Sequence, residues 1–374
     1  MKQKELLKET TGSLLAQFGL SQCDITPPIG IYSRNWGAAA FDQATAIHQP
    51  LLMHCLYMQP DDGLPAILLT ADLGWWKNAA DEQNLRLALL SHFNLAESQL
   101  IFALSHTHAG PSICSTDSAQ PGGELISPYL EFLKQQAISC VEMAQSGLFN
   151  GSLTWSYGVC DLASNRDLEV DSQYLIGYNP LKEADTTLLV GRLYDKTESL
   201  KAVICNYACH PTSFAHENDL ISPDFVGEMR NTVERVLAVP CLFLQGASGD
   251  LAPRRQYVKD PALVEANGKQ LGYAVLATLA QEQRSHKNWV FKESLISGAP
   301  LACWGFREQR ASTDFKQKVL STKVPYKNLP SPEAILNEYE RCTDRVMKDR
   351  LWRKYNTRKS IGDQEDAIIP VWIW

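Results

Sequence analysis

Four short apolar runs in this chain stop abruptly at polar or glycine-rich turns: AILLTADLG (66–74), LIFALSHTH (100–108), LKAVICNYACH (200–210) and PCLFLQGASGD (240–250). Runs of this length, bounded by turns, read as strands that feed loops. Helical patterns lie between them. KNAADEQNLRLALLSHF carries its leucines on one face, and SPYLEFLKQQAISCVEMAQ opens on Ser-Pro. SPDFVGEMRNTVERVLA opens on Ser-Pro-Asp, which reads as an N-cap followed by proline at the first helical position. Strands alternating with helices predict an α/β fold.

The two ends of the chain differ from this pattern. MKQKELLKETTGSLLAQFGLSQ is a short charged segment with helical character and lacks the apolar core and small-residue cleavage site of a secretory signal. From about Phe306 the chain turns strongly charged. In SPEAILNEYERCTDRVMKDRLWRKY, residues Ile335, Tyr339, Cys342 and Val346 recur at helical spacing, which predicts one amphipathic helix with a solvated face. The last residues, AIIPVWIW, read as an apolar strand. A strand in that position is expected either to belong to a longer chain or to complete a sheet.

Composition narrows the function classes. A net charge of −7 argues against nucleic acid as the main partner, because phosphate binding needs a basic stripe. No apolar run reaches the roughly 18 residues needed to cross a bilayer. The ten cysteines are scattered and form no C-x-x-C pair, so free thiols in a reducing, cytoplasmic setting are the expectation.

The polar residues that end the four runs are of the kinds active sites use: Asp72, then His106 and His108, then Tyr207 and His210, then Ser248 and Asp250. A single histidine at a strand end is usually a structural hydrogen-bonder. SHTHAGP and YACHPTS together are not required by packing, whereas a zinc site that draws imidazoles from neighbouring strands does require them.

At this point the sequence resembles a family. GLSQCDITPPIG (19–30), SHTHAGP (105–111), SNRDLEVDSQYLIGYNP (164–180), ADTTLLVGRLYD (184–195), NYACHPTSF (206–214), SPDFVGEM (222–229) and GASGDLAPR (246–254) occur in the order found in the neutral/alkaline, non-lysosomal ceramidases. The resemblance implies a fold like their N-terminal catalytic domain, with central antiparallel or mixed β-sheets flanked by helices. The likeness covers roughly residues 17–280; a catalytic domain is expected over residues 17–300, with 301–374 as a helical extension and final strand of the same domain. The resemblance also implies zinc as cofactor, with His106 and His210 as ligands, His108 beside the metal for proton transfer or for binding the transition state, and Arg166 in the substrate site. The implied substrate is a small-molecule or lipid-like acylated compound, cleaved at an amide (N-acyl) or related bond by a metal-activated water, and the family's setting is sphingolipid metabolism. The family also suggests secretion as the alternative location.

Two departures from the family's pattern shape the expectation. Its G-D-V-S-P-N appears as GDLAPR, so Ala252 stands where the serine tied to ceramide hydrolysis would be. The glutamate and tyrosine that complete the family's zinc shell have no counterpart, because no P-G-E context follows Ala252. Two histidines hold zinc poorly. The chain is therefore expected to be longer in nature, to recruit Asp72, Asp224 or Asp250 as the carboxylate, or to work without metal. The readings that follow are a zinc-dependent amidohydrolase, a true ceramidase, a non-catalytic binding protein on the same scaffold, and a metal-free hydrolase built on Ser248, His108 and an aspartate.

Overall fold

The computed structural model describes residues 8–9, 13–281, 287–308, 311–362 and 364–374. Its centre is an eight-stranded sheet. The strands in chain order are β1 (Ser13–Asp24), β2 (Leu52–Gln59), β3 (Ala66–Ala71), β4 (Leu100–Leu104), β5 (Phe149–Val159), β6 (Thr187–Asp195), β7 (Leu200–Tyr207) and β8 (Cys241–Gln245). Their spatial order is β8-β7-β6-β5-β1-β2-β3-β4. The inner pairs are antiparallel, while β3–β4 at one edge and β7–β8 at the other are parallel. This is the mixed sheet expected of the sequence.

Each parallel pair needs a crossover, and a helix supplies it. Helix α1 (Ala79–His92) links β3 to β4, and α3 (Phe225–Leu237) links β7 to β8. Two further helices, α2 (Ile126–Ser146) and α4 (Pro261–Leu279), pack with them. One core forms where Leu85, Leu89, Leu133 and Ala137 of α1 and α2 meet Met53, Cys55, Ile67 and Leu69 of the sheet. A second joins Phe225, Met229, Leu271 and Val275 of α3 and α4 to Val190, Val203 and Cys205. The opposite sheet face carries a third, with Phe18, Leu56, Leu153, Leu193 and Leu242. The sheet curls so far that β8 touches both β3 and β4. That closure brings the loops after β4, β7 and β8 to one end of the molecule.

Four local expectations change. Residues 1–7 and 10–12 of the charged N-terminal segment lie outside the described residues, but from Ser13 the chain is strand, not helix. The reason is period-two alternation: Ala16 and Phe18 enter the third core with Leu14 and Leu20 packed against it. The N-cap of α3 is Asp224 rather than Ser222, since the Asp224 carboxylate accepts from the Phe225 amide at 2.7 Å and Pro223 precedes the cap. The predicted amphipathic helix over 331–355 is two helices, α5 (Pro332–Arg341) and α6 (Arg345–Ile361). Asp344 starts the second by accepting from the Met347 amide at 2.7 Å.

The terminal segment is a strand, but not a buried one. β9 (Lys287–Ser297) and β10 (Ala299–Glu308) form an antiparallel hairpin that spans residue 300. β11 (Lys318–Pro325) pairs with β12 (Asp366–Ile373), leaving Ile368, Ile369, Val371 and Ile373 exposed. The indole N–H groups of Trp372 and Trp374 donate to the carbonyls of Glu97 and Ser98 at 3.0 and 2.7 Å. All ten cysteines are free thiols, eight of them buried. No helix among the described residues is long and apolar enough to cross a membrane.

Candidate metal centre

His106 follows β4 and adopts a left-handed backbone, φ 68°. A non-glycine residue in that region is strained, and such strain concentrates at functional sites. It is held because the His106 amide donates to the Leu73 carbonyl at 2.9 Å. The backbone of Gly74 lies against the His106 ring and partly offsets the effect of burial on its pKa. His210 follows β7, and its amide donates to the Leu251 carbonyl at 2.9 Å. Its Nδ1 lies 2.7 Å from the Ser248 carbonyl, which turns Nε2 the other way. The loops after β7 and β8 run so close that a Cβ on Gly246 would fall 2.9 Å from the Ala208 backbone. Glycine is needed there for contact, not for its φ.

His108 completes the cluster. Ring centroids lie 4.8 Å apart for His106–His210, 5.2 Å for His106–His108 and 5.7 Å for His108–His210. One ligand nitrogen from each of the three lies within 4.8 Å of the others. Among the described residues this is the group of histidines, cysteines and carboxylates able to hold a metal ion. Both nitrogens of His108 are shielded from water and have no hydrogen-bond partner. Leaving a buried polar group unpaired is costly, so a cation is the partner this donor set fits.

The electrostatics suit that role. Burial lowers all three imidazole pKa values, and the guanidinium of Arg166 lowers them further. His210 is pushed down to about 4, and the neighbouring imidazoles add to the effect of burial on His108. Neutral imidazole is the form that binds metal. Arg166 itself is half-buried, with Nε donating to the Gly249 carbonyl at 3.0 Å.

A short segment ties the two histidine loops together. Thr107, between the paired histidines, donates its hydroxyl to the Ser222 carbonyl at 2.7 Å. The Ser222 amide donates to the Ala109 carbonyl at 2.8 Å. Two residues on, the Asp224 carboxylate accepts from the amides of Ser213 at 3.3 Å and Phe214 at 2.9 Å, in the loop after His210. Asp224 has φ 57°, and burial raises its carboxyl pKa to about 6 against the pull of those amide donors.

The carboxylates put forward from sequence are therefore not in the cluster. Asp72 is buried, with one oxygen 2.8 Å from Arg230 and the other accepting from the Leu52 amide at 2.9 Å. Asp224 is occupied as cap and clamp, and Asp250 is exposed, 3.4 Å from the Asn165 side chain. Ser248 is buried, accepts from Gln245 at 2.6 Å, and contributes to His210 chiefly through its carbonyl. Its nearest imidazole is that of His210 at 3.3 Å, not His108. Tyr207 is structural: its hydroxyl donates to the Cys160 carbonyl and accepts from the Ala163 amide, each at 2.8 Å. Ala252 is fully buried in a short strand pair opposite Ser164.

Sequence reasoning missed three aromatic residues. Trp75 lies 4.7 Å from His108 and 5.3 Å from His106, Trp36 lies 5.1 Å from His108, and Tyr257 meets Trp36 edge-on at 5.6 Å. The Trp-Trp pair directly after TADLG was a readable signal for Trp75. Nothing local marked Trp36 or Tyr257.

No family model matches the sequence, and no curated protein sequence matches it. Solved structures do match by fold, two ceramidases among them. A neutral ceramidase from Pseudomonas aeruginosa aligns with a TM-score of 0.59 at 18% identity, covering 87% of this chain and 50% of that one. A ceramidase complexed with C2 aligns with a TM-score of 0.60 at 19% identity, covering 86% of this chain and 48% of that one. This chain thus spans about half the length of the structures it matches. The curled mixed sheet with its flanking helices is the fold of the neutral ceramidases over that half.

Proposed function

We propose that this chain is a zinc-dependent hydrolase that cleaves an amide or related acyl bond, with His106, His108 and His210 as metal donors and Arg166 facing the reacting carbonyl. The observation that carries this reading is the convergence of three imidazoles within metal-ligand reach, one tied back to a main-chain carbonyl and one without a protein partner. Three nitrogen ligands with an open position are a donor set of catalytic zinc. Carbonyls on the far ring nitrogens orient such ligands. A divalent ion held there would polarise an acyl carbonyl and acidify a water toward neutral pH.

The chain's own residues supply the rest. The Ser248 carbonyl fixes the tautomer of His210. Arg166 provides a fixed positive charge for a developing oxyanion. The tryptophans limit water around His108. The orphaned nitrogens of His108 favour a donor role over the proton-transfer role that the family resemblance assigns it. Ala252 offers no hydroxyl, so no side-chain nucleophile is invoked at that position. The catalytic unit is taken as residues 17–300, with 301–374 as its extension, acting on a small or lipid-like acylated substrate.

Metal analysis of the purified protein tests this. One equivalent of zinc is expected, with amide hydrolysis abolished by a chelator and restored by zinc. His106→Ala and His108→Ala should each lose the metal while remaining folded. An inactive His108→Ala that keeps its zinc would return His108 to proton transfer; a metal-free wild type would defeat the reading.

A further inference from the structure

Two tryptophan rings close on His108 from separate loops, and Tyr257 from a third loop backs Trp36 edge-on. Trp36, Trp75 and Tyr257 are all half-buried. Tyr257 holds a left-handed backbone, φ 63°, fixed by its amide donating to the Thr212 carbonyl at 3.2 Å and its hydroxyl to the Ile176 carbonyl at 3.4 Å. Strain of this kind in an aromatic residue persists only where the surroundings impose it. The Trp36 ring is in van der Waals contact with His108, and its indole N–H is buried without a partner.

The loop that carries Trp36 is braced from behind by the charged helix α6. Buried Arg34 forms a 2.8 Å ion pair with Asp349. From the helix side, Arg345 reaches Asp42 at 3.1 Å and the Ala39 carbonyl at 3.3 Å. Across the loop, Asn35 donates to the Gly110 carbonyl at 2.8 Å, two residues beyond His108. The tryptophan is thus pinned between the histidine loop and a helix that contributes nothing else to the site. A solvated helix face would not need to grip one loop so specifically.

We infer that Trp36, braced by α6, is the specificity-determining wall of this site and limits the acyl group that reaches the imidazoles to a compact one. The inference rests on the hydrolase reading and deepens it by naming the substrate class. An indole already in contact with His108 occupies the volume a long aliphatic chain would take beside the reacting carbonyl. Flat aromatic faces instead suit a short or planar acyl group.

Two readouts test it. The first is kcat/KM on acetyl, hexanoyl and palmitoyl amides of 7-amino-4-methylcoumarin, for wild type, Trp36→Ala, Trp36→Phe and Asp349→Ala. Wild type should favour acetyl. Trp36→Ala should raise the palmitoyl-to-acetyl ratio by about tenfold or more, the scale on which hydrophobic pockets discriminate. Asp349→Ala should shift it the same way by less, and Trp36→Phe should stay near wild type. A uniform loss across all three amides, or an unchanged ratio, overturns the inference.

The second readout needs no turnover. In chelator-treated protein, diethylpyrocarbonate should modify His108 far more slowly than His92, whose side chain is 44% exposed. Trp36→Ala should accelerate His108 labelling and leave His92 unchanged. Fast labelling of His108 in wild type, or none gained in Trp36→Ala, overturns the wall. If wild type cleaves none of the amides yet Trp36→Ala exposes His108, the wall stands and the hydrolase reading fails.

Discussion

His210 Nδ1 sits 2.7 Å from the main-chain carbonyl of Ser248, closer than the Ser248 hydroxyl at 3.3 Å. The ring is therefore oriented by backbone, and the serine side chain is secondary. Ser248→Ala should keep the metal and lower turnover by no more than about threefold, the scale of one weak neutral hydrogen bond. A nucleophilic serine would instead lose several orders of magnitude, so steady-state kinetics with parallel metal analysis separates the two roles.

Arg166 acts on the imidazoles through its charge and touches none of them directly as a ligand. Arg166→Ala is expected to retain zinc and to lower kcat by about 100-fold, as loss of an oxyanion donor does. Arg166→Lys should recover only part of this, because the guanidinium's bond to the Gly249 carbonyl fixes its direction. Loss of zinc in Arg166→Ala would place the arginine in the metal's support instead.

Asp72 and Arg230 form a nearly inaccessible ion pair, with side chains 2% and 4% exposed. Removing one partner leaves the other charge buried. Asp72→Ala should cost about 3–5 kcal/mol in chemical denaturation. Its zinc stoichiometry in the folded fraction should match wild type, since neither Asp72 oxygen faces the histidines.

His54 is fully buried beside Arg230, and burial, with that charge, holds its pKa well below the ordinary histidine value. The unfolded chain protonates this histidine near pH 6.5, the folded one does not. Below that pH the unfolded state binds the extra proton, so stability falls as pH falls, by about 1.4 kcal/mol per pH unit for one such group. Denaturation midpoints measured from pH 7.5 to 5 should show the decline, and His54→Phe should make it shallower by this one group's share, the buried histidines of the cluster supplying the rest. An unchanged slope would assign the effect to other groups.

The strand runs and both histidine loops were legible because hydrophobic period and turn chemistry are local signals. What those signals could not carry was partnership across the sheet. Asp72 ends a run just as His106 does, and only the position of Arg230, 158 residues later, turns it into a structural ion pair. Likewise, Asp224 shares the SPD motif with Ser222, and the loop geometry alone decided which of them caps α3. Trp36 lies in SRNWGAAA, where no periodicity exists to interpret. Its importance comes from the closure of the sheet and from a helix more than three hundred residues away. The charged C-terminal region read as one helix because its apolar spacing is continuous, whereas Asp344 offers a capping oxygen that restarts the helix.

The Ser222–Asp224 segment has a consequence for how the site can vary. Thr107 leans on it from one side and Phe214 from the other, so the two histidine loops share one support besides those each has alone. A substitution in those three residues would be transmitted to both loops together, and lineages of this chain are expected to change the rim aromatics freely while leaving that short bridge nearly fixed. The two halves of the donor set, which follow an edge strand and the next-to-edge strand of the sheet's other side, are inherited as one unit.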